Sequence, residues 1–307
     1  MKDLIIIGGG PAGVAAGVYA ARKHLYTTLI AGEVGGQSVV SEGIENWIGT
    51  PKISGADLAK SMRAHLEAFE GHHLELCIGG HVEKLEKIDG GFKATTKDGK
   101  THEAKSVLIA SGAGRRKLDV PGALQFENKG VTYCASCDGP LFADMDVVVV
   151  GGGNAGFETA AQLLAYAKSV TLIHRHKEFK ADKVTVEKVT ADPKMRVITH
   201  AEPTEVLGEG FVTGLKYRDK DTDEEKELKV SGIFVEAGVI PNTSFVEGLL
   251  DLDPVKRVVA DPRNQRTSVE GVWAAGDCTD ELYHQNNIAA GDGVKALEDI
   301  YLWVKTR

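Results

Sequence analysis

The sequence predicts an α/β protein in which one strand–turn–helix unit occurs twice, the second copy inserted into the domain that carries the first. Two matched stretches predict it. Leu4-Ile5-Ile6-Ile7 runs into Gly8-Gly9-Gly10-Pro11-Ala12-Gly13, and Val147-Val148-Val149-Val150 runs into Gly151-Gly152-Gly153-Asn154-Ala155-Gly156. Each is a continuous apolar run, as expected of a strand buried on both faces, followed by G-x-G-x-x-G and an Ala-rich helical stretch. Each helix leads to another apolar strand, Thr27 to Ile30 and Val170 to Ile173, completing two β-α-β units. The third observation places the boundaries. Val107 to Gly112, and Ile233 to Gly238 before Pro241, are strands ending in small residues, suited to crossings between domains. The expected architecture is two Rossmann-like, three-layer dinucleotide-binding domains. One is discontinuous, residues 1–112 and 241–307, and the other is the insertion, 113–240.

The chain has 307 residues, enough for two such domains, and a net charge of −8. That charge argues against nucleic acid and anionic membrane as partners. No apolar run approaches the roughly 18 residues of a membrane span. Leu4 to Ile7 is too short for a signal-peptide core, so a cytoplasmic protein is expected. Four cysteines are too few for a disulfide scaffold. The charged stretches Asp219 to Lys229 and Thr96 to Glu103 read as hairpin loops.

In the first glycine motif, Gly8 permits the tight turn out of the strand and Gly10 lets backbone approach a pyrophosphate. Gly13 lets the helix pack against the strand, and the helix N-terminus, from Pro11 and Ala12 onward, offers free N–H groups to phosphate. Glu33, about one β-α-β unit onward, either accepts ribose hydroxyls or is a solvated loop acid. The second motif, Gly151, Gly153, Asn154, Ala155 and Gly156, meets the same test. Its downstream strand ends in His174-Arg175-His176-Lys177-Glu178-Phe179-Lys180 instead of the acid usual for NAD. His174, Arg175, His176 and Lys180 suit a 2′-phosphate, and a solvated basic loop is the alternative.

Cys134 and Cys137 lie three apart in Tyr133-Cys134-Ala135-Ser136-Cys137-Asp138-Gly139. Such a pair closes and reopens a disulfide with little backbone motion. A zinc site would need a second Cys/His pair, and Cys77 and Cys278 stand alone, so no metal is expected. Both read as small core residues. As an anion Asp138 would raise a neighbouring thiol pKa, so its useful role is proton donor to a leaving thiolate. A turn-forming Asp before Gly139-Pro140 is the plainer reading. Near the C-terminus, Thr267 to Asp277 is a buried strand ending in Gly276-Asp277, where the Asp can accept from a polyol hydroxyl. Beside two nucleotide folds and a redox pair, this looks like a second FAD fingerprint. The helix from about Gln285 to Val304 would turn its positive end toward a flavin ring.

The order GGGPAG, C-x-x-C-D, GGGNAG and AAGD resembles the low-molecular-weight thioredoxin reductases over nearly the whole chain. It is also similar to the C-terminal flavin module of alkyl hydroperoxide reductase flavoproteins, through Gly35-Gly36-Gln37, Ile44-Glu45-Asn46, Cys137 to Phe142 and Gly276 to Thr279. The sequence begins at the flavin strand, so that flavoprotein's thioredoxin-like N-terminal region is expected to be missing. The resemblance implies FAD bound by Gly8, Gly10, Gly13, Gly36, Gln37, Asn46, Asp277 and Gln285, with Gly112 at the crossing. It implies NADPH bound by Gly153, Ala155, Arg175 and their neighbours, Cys137 facing the flavin and Cys134 attacking a thioredoxin- or glutaredoxin-like partner. It also implies a homodimer whose inserted domain rotates about hinges near 112–114 and 238–241. The family pattern H-R-R-x-x-x-R is reduced here to Arg175 with His176 and Lys180, so NADPH is expected to lead NADH only modestly. Ala110-Ser111-Gly112 replaces the usual A-T-G, and His284 stands where Arg or Lys is usual. The alternatives are an NADH-dependent reductase feeding a peroxidase through a thioredoxin-like carrier, a ferredoxin-driven reductase, and a nucleotide-binding redox sensor. The intact second motif and the C-x-x-C-D disfavour the last two.

Overall fold

Leu4, Ile5 and Ile6 are fully buried, which makes the first apolar run, β1 (Lys2–Ile7), the centre of its sheet. The computed structural model describes residues 1–306 apart from Glu42 and Lys180. The chain forms two compact units, one of residues 1–114 with 240–307 and one of residues 115–239.

In the first unit β1 is followed by α1 (Pro11–Arg22), β2 (Thr27–Ala31), α2 (Gly55–Glu67), β3 (Leu74–Ile78), β4 (Val82–Ile88), β5 (Gly91–Thr96) and β6 (Thr101–Ile109). The sheet runs β3-β2-β1-β6-β5-β4. It is parallel from β3 to β6 and antiparallel through the β4–β5–β6 meander. The alternation of side chains along β1 explains its two faces. Leu4 and Ile6 pack with α1 and α2, while Ile5 and Ile7 pack with Phe92, Val246 and Leu250 on the other side.

The crossing strand β7 (Ala113–Arg115) leads into the second unit. There follow β8 (Val131–Thr132), α3 (Ala135–Asp138), β9 (Asp146–Val150), α4 (Asn154–Leu163), β10 (Ser169–Ile173), α5 (Lys183–Thr190) and β11 (Met195–Ile198). An antiparallel sheet of β12 (Ala201–Glu209), β13 (Phe211–Asp219) and β14 (Glu224–Lys229) precedes β15 (Gly232–Val235). The main sheet, ordered β11-β10-β9-β15-β8, is parallel throughout. Val147 and Val149 meet Phe157, Ala160 and Leu163 of α4, and Val148 and Val150 meet Val206, Leu215 and Tyr217 of the antiparallel layer. The return strand β16 (Val239–Pro241) pairs with β7. The chain ends with β17 (Val272–Ala274), parallel to β6, and α6 (Asn286–Lys305).

The third glycine of each motif does the same job in both units. A Cβ on Gly13 would lie 2.0 Å from the Gly8 carbonyl oxygen, and one on Gly156 would lie 2.0 Å from that of Gly151. Each helix therefore rests directly on the turn that precedes it. The hairpin loops expected in the two charged stretches are present but short: residues 97–100 turn from β5 to β6 and 220–223 from β13 to β14, while Thr101–Glu103 and Glu224–Lys229 belong to the strands. Both lie at places where one face meets solvent, and charged side chains suit such strands.

Candidate functional site

The nucleotide-type turn of the first unit ends in Gly10, which caps α1 without a side chain. Gly153 before α4 and Gln285 before α6 likewise give no side-chain cap. By contrast Ser54 caps α2 through the Asp57 amide, and Asp182 caps α5 through the Val184 and Thr185 amides. Among the described helices of eight residues or more, the uncapped ones are those the sequence assigns to cofactors. Their first N–H groups are left for an anion. A Cβ on Gly10 would meet nothing nearer than Gly36 Cα at 3.9 Å, and one on Gly153 or Gly112 would meet nothing within 4 Å. These are cradles a side chain would fill.

Gly276 sits in the left-handed region at φ 75°, and a Cβ there would press on Ala289 at 3.2 Å and Ala12 at 3.3 Å. The starts of α1 and α6 thus converge at Gly276-Asp277. A strap ties the loop after β2 to α6. Ser38 Oγ donates to Asn286 Oδ1 at 2.8 Å, Asn46 Nδ2 to Gln285 Oε1 at 3.2 Å, and Asn287 Nδ2 to the Asn46 carbonyl at 2.7 Å. So Gly36, Gln37, Asn46, Gly276, Asp277 and Gln285 are gathered around two bare helix ends. Next to Gln285, His284 Nε2 is buried and has no hydrogen-bond partner among the described residues. This donor set fits FAD: amides for its pyrophosphate, and acceptors and amides for its polyol and ring. Glu33 is exposed at the end of β2, and its carbonyl packs on Gly9. Ser38, Asn286 and Asn287 escaped the sequence reading, because nothing local marks partners nearly the whole chain apart.

In the second unit the basic segment separates. His174 is buried, its ring against Gly152 and Phe179, with Nε2 at 3.1 Å from the Glu178 carbonyl oxygen. Arg175 and His176 are exposed, and Arg175 Nε donates to His176 Nε2 at 3.1 Å. Lys177 pairs with Asp221 at 2.8 Å, which offsets its charge. Lys180 lies outside the described residues.

Cys134 and Cys137 are joined as a disulfide with their Cα atoms 5.3 Å apart. Cys134 is the N-cap of α3 and Cys137 lies within it, so the helix turn sets the spacing. Both cysteines are partly exposed. The Asp138 amide donates to the Cys134 carbonyl at 3.0 Å, folding Asp138 back beside the pair. Its carboxyl accepts from the Thr132 hydroxyl, which also receives the Cys134 amide at 3.4 Å. Burial pushes the Asp138 carboxyl above the usual range, against the opposing pull of Thr132 and the Arg115 guanidinium. Thr132 was not read from the sequence; a polar residue in a buried two-residue strand was its one signal. Cys278 is fully buried, its thiol pushed up to about 11, and Cys77 is partly buried, so neither competes as a nucleophile. Among the described residues no group of three or more His, Cys, Asp or Glu could hold a metal.

The pyridine nucleotide-disulphide oxidoreductase family matches residues 2–293. The chain belongs to that family. Membership implies FAD and a nicotinamide nucleotide. The oxidoreductase is 41% identical over 294 residues to the F subunit of alkyl hydroperoxide reductase from Staphylococcus aureus, a match covering 96% of this chain and 57% of the relative. The counterpart from Pseudomonas putida is 41% identical over 296 residues, covering 96% and 56%. The chain thus spans little more than half the length of these relatives. Among solved structures, thioredoxin reductase from Streptococcus pyogenes superposes with a TM-score of 0.92 at 36% identity, covering 100% of this chain and 99% of the other. That from Giardia duodenalis gives 0.93 at 33%, covering 99% of each. The fold is that of the thioredoxin reductases, as the order of motifs led one to expect. No helix among the described residues is long and apolar enough to cross a membrane.

Proposed function

We propose that this oxidoreductase passes electrons from NADPH through FAD to the Cys134–Cys137 disulfide and on to the disulfide of a thioredoxin-like protein. The observation that carries the reading is the disulfide held at the start of α3 beside the desolvated Asp138, in the unit that also bears the second glycine motif. FAD, held at the bare starts of α1 and α6 beside Gly276-Asp277, would supply the two-electron chemistry that links a reduced nicotinamide to the disulfide. The protein's own part is thiol chemistry. The disulfide opens to two thiols, and the Cys134 thiolate attacks one sulfur of the partner's disulfide, expelling the other as a thiolate. Cys137 then attacks Cys134 Sγ, which closes the 134–137 bond and releases the partner as a dithiol. Asp138, whose carboxyl burial pushes above its usual range, gives its proton to the departing thiolate.

The purified protein is expected to be yellow, with about one FAD per chain, because the Gly10 and Gly276 cradles and the bare ends of α1 and α6 form a single donor set. A folded colourless preparation that takes up no added FAD would sink the reading.

The donor should be NADPH by a modest margin. Arg175 is exposed and can grip a 2′-phosphate with paired hydrogen bonds. Lys177 already faces Asp221, and no acid ends β10 to favour NADH. The expected preference is about 10- to 100-fold in kcat/KM, or about 1.4–2.7 kcal/mol. Arg175→Ala should remove most of it by weakening NADPH alone. Measuring kcat/KM for both nucleotides in both proteins checks this. The identity to the alkyl hydroperoxide reductase flavoproteins favours a second reading, in which NADH drives a peroxidase through a thioredoxin-like carrier. Equal or better use of NADH by the wild type would select it.

A further inference from the structure

The two strand–turn–helix copies align position by position. Ile7 pairs with Ile109 across β1 and β6, and Val150 pairs with Val235 across β9 and β15. The residue after each pair lies against the first glycine of the motif. A Cβ on Gly8 would strike the Ala110 carbonyl oxygen at 2.0 Å, and one on Gly151 would strike the Glu236 carbonyl oxygen at 2.3 Å. Ala110 and Glu236 therefore hold the same place beside the turn. One copy has a methyl there and the other a carboxyl.

That carboxyl is costly to keep. Burial pushes it above the ordinary range, with Thr159 and Arg115 opposing and Glu158 adding to the rise. Thr159, itself buried on α4, donates its hydroxyl to Oε1 at 2.7 Å. Among the described residues nothing donates to Oε2. The half-buried carboxyl thus has one oxygen fixed by Thr159 and the other open to solvent and to a ligand's donor.

The sheet says which donor. In the order β11-β10-β9-β15-β8, the glycine turn follows β9, the Arg175 segment follows β10 on one side, and Glu236 follows β15 on the other. A dinucleotide in such a fold lies across the carboxyl ends of the strands, with its pyrophosphate at the turn and its adenosine ribose read at the end of the second strand. The other nucleoside then falls on the β15 side. Its ribose hydroxyls and carboxamide N–H groups are donors, whereas phosphate would be repelled by a carboxylate.

We infer that Glu236 binds the nicotinamide riboside half of the pyridine nucleotide, accepting at Oε2 a hydrogen bond from that half. The inference rests on reading the second unit as the nucleotide site. Titration calorimetry on the oxidised, FAD-loaded protein tests it with two probes: NADP⁺, and 2′,5′-ADP, which lacks the nicotinamide riboside. Glu236→Ala should weaken NADP⁺ on the order of tenfold, as for a lost charge-assisted bond, and leave 2′,5′-ADP unchanged. Glu236→Gln, neutral but still an acceptor and still able to meet Thr159, should fall between, and it carries the test if the Ala variant melts early. Arg175→Ala should weaken both probes. Equal weakening of both probes by the Glu236 variants would mean a structural role and overturn the inference, as would unchanged or tighter NADP⁺. A wild type that binds neither probe, and does not bind NAD⁺ either, would overturn the nucleotide-site reading and this inference with it.

Discussion

Cys137→Ser is expected to abolish turnover with a protein disulfide while leaving a Cys134 thiol that captures the partner. Without the second sulfur, the mixed disulfide between Cys134 and the partner has no intramolecular route to release, so it should accumulate and survive on a non-reducing gel. Cys134→Ser should abolish turnover equally and capture nothing through that position. Both variants should still have their flavin bleached by NADPH, because the nucleotide motifs lie elsewhere in sequence. Mass spectrometry of the trapped species identifies the bonded cysteine. Capture through Cys137 would reverse the two roles, and full activity in either variant would remove the disulfide from the mechanism.

Asp138→Asn should lower turnover by about 10²–10⁴-fold, the usual worth of general acid help. The amide preserves shape and can still meet Thr132, so FAD content and thermal unfolding should change little. The sign of the pH effect follows from burial, which raises this carboxyl above its ordinary value. The acid form therefore persists to higher pH than in a free carboxyl, and the donor is lost as pH rises through the raised value. In the wild type, turnover should fall on that alkaline side. In Asp138→Asn that limb should vanish. Thr132→Val removes a hydroxyl that favours the charged form, so it should push the limb further toward alkaline pH. Unchanged turnover in Asp138→Asn between pH 6 and 9 would leave Asp138 as a turn residue only.

The fold was legible because its central strands are locally written. Four consecutive apolar residues before a glycine turn can do little else than form a strand covered on both faces, and Val147 to Val149 are completely buried. Cys134 and Cys137 were legible for the same reason: one helical turn brings them together. Charge blurred the bounds of the hairpin at Asp219–Lys229: its turn is only residues 220–223, and alternation of half-covered and exposed residues along the outer strand β14 made that strand resemble loop. What the sequence withheld is long-range. The contact of Asn46 with Gln285 joins positions 239 apart, and that of Glu236 with Thr159 spans 77. No spacing rule marks such pairs. His174 shows the converse. It sits in a basic run, yet the packing of Gly152 against its ring turns it inward, a fact that charge counting cannot supply.

The bare starts of α1, α4 and α6 have a consequence for the stability of the empty chain. A side-chain cap is typically worth about 1 kcal/mol to a helix, and α2 and α5 have theirs while these three forgo it. Whatever fills those ends stabilises the native chain by mass action, in proportion to the logarithm of its concentration over its dissociation constant. FAD added to the flavin-free chain should therefore raise its unfolding temperature and slow its digestion by protease.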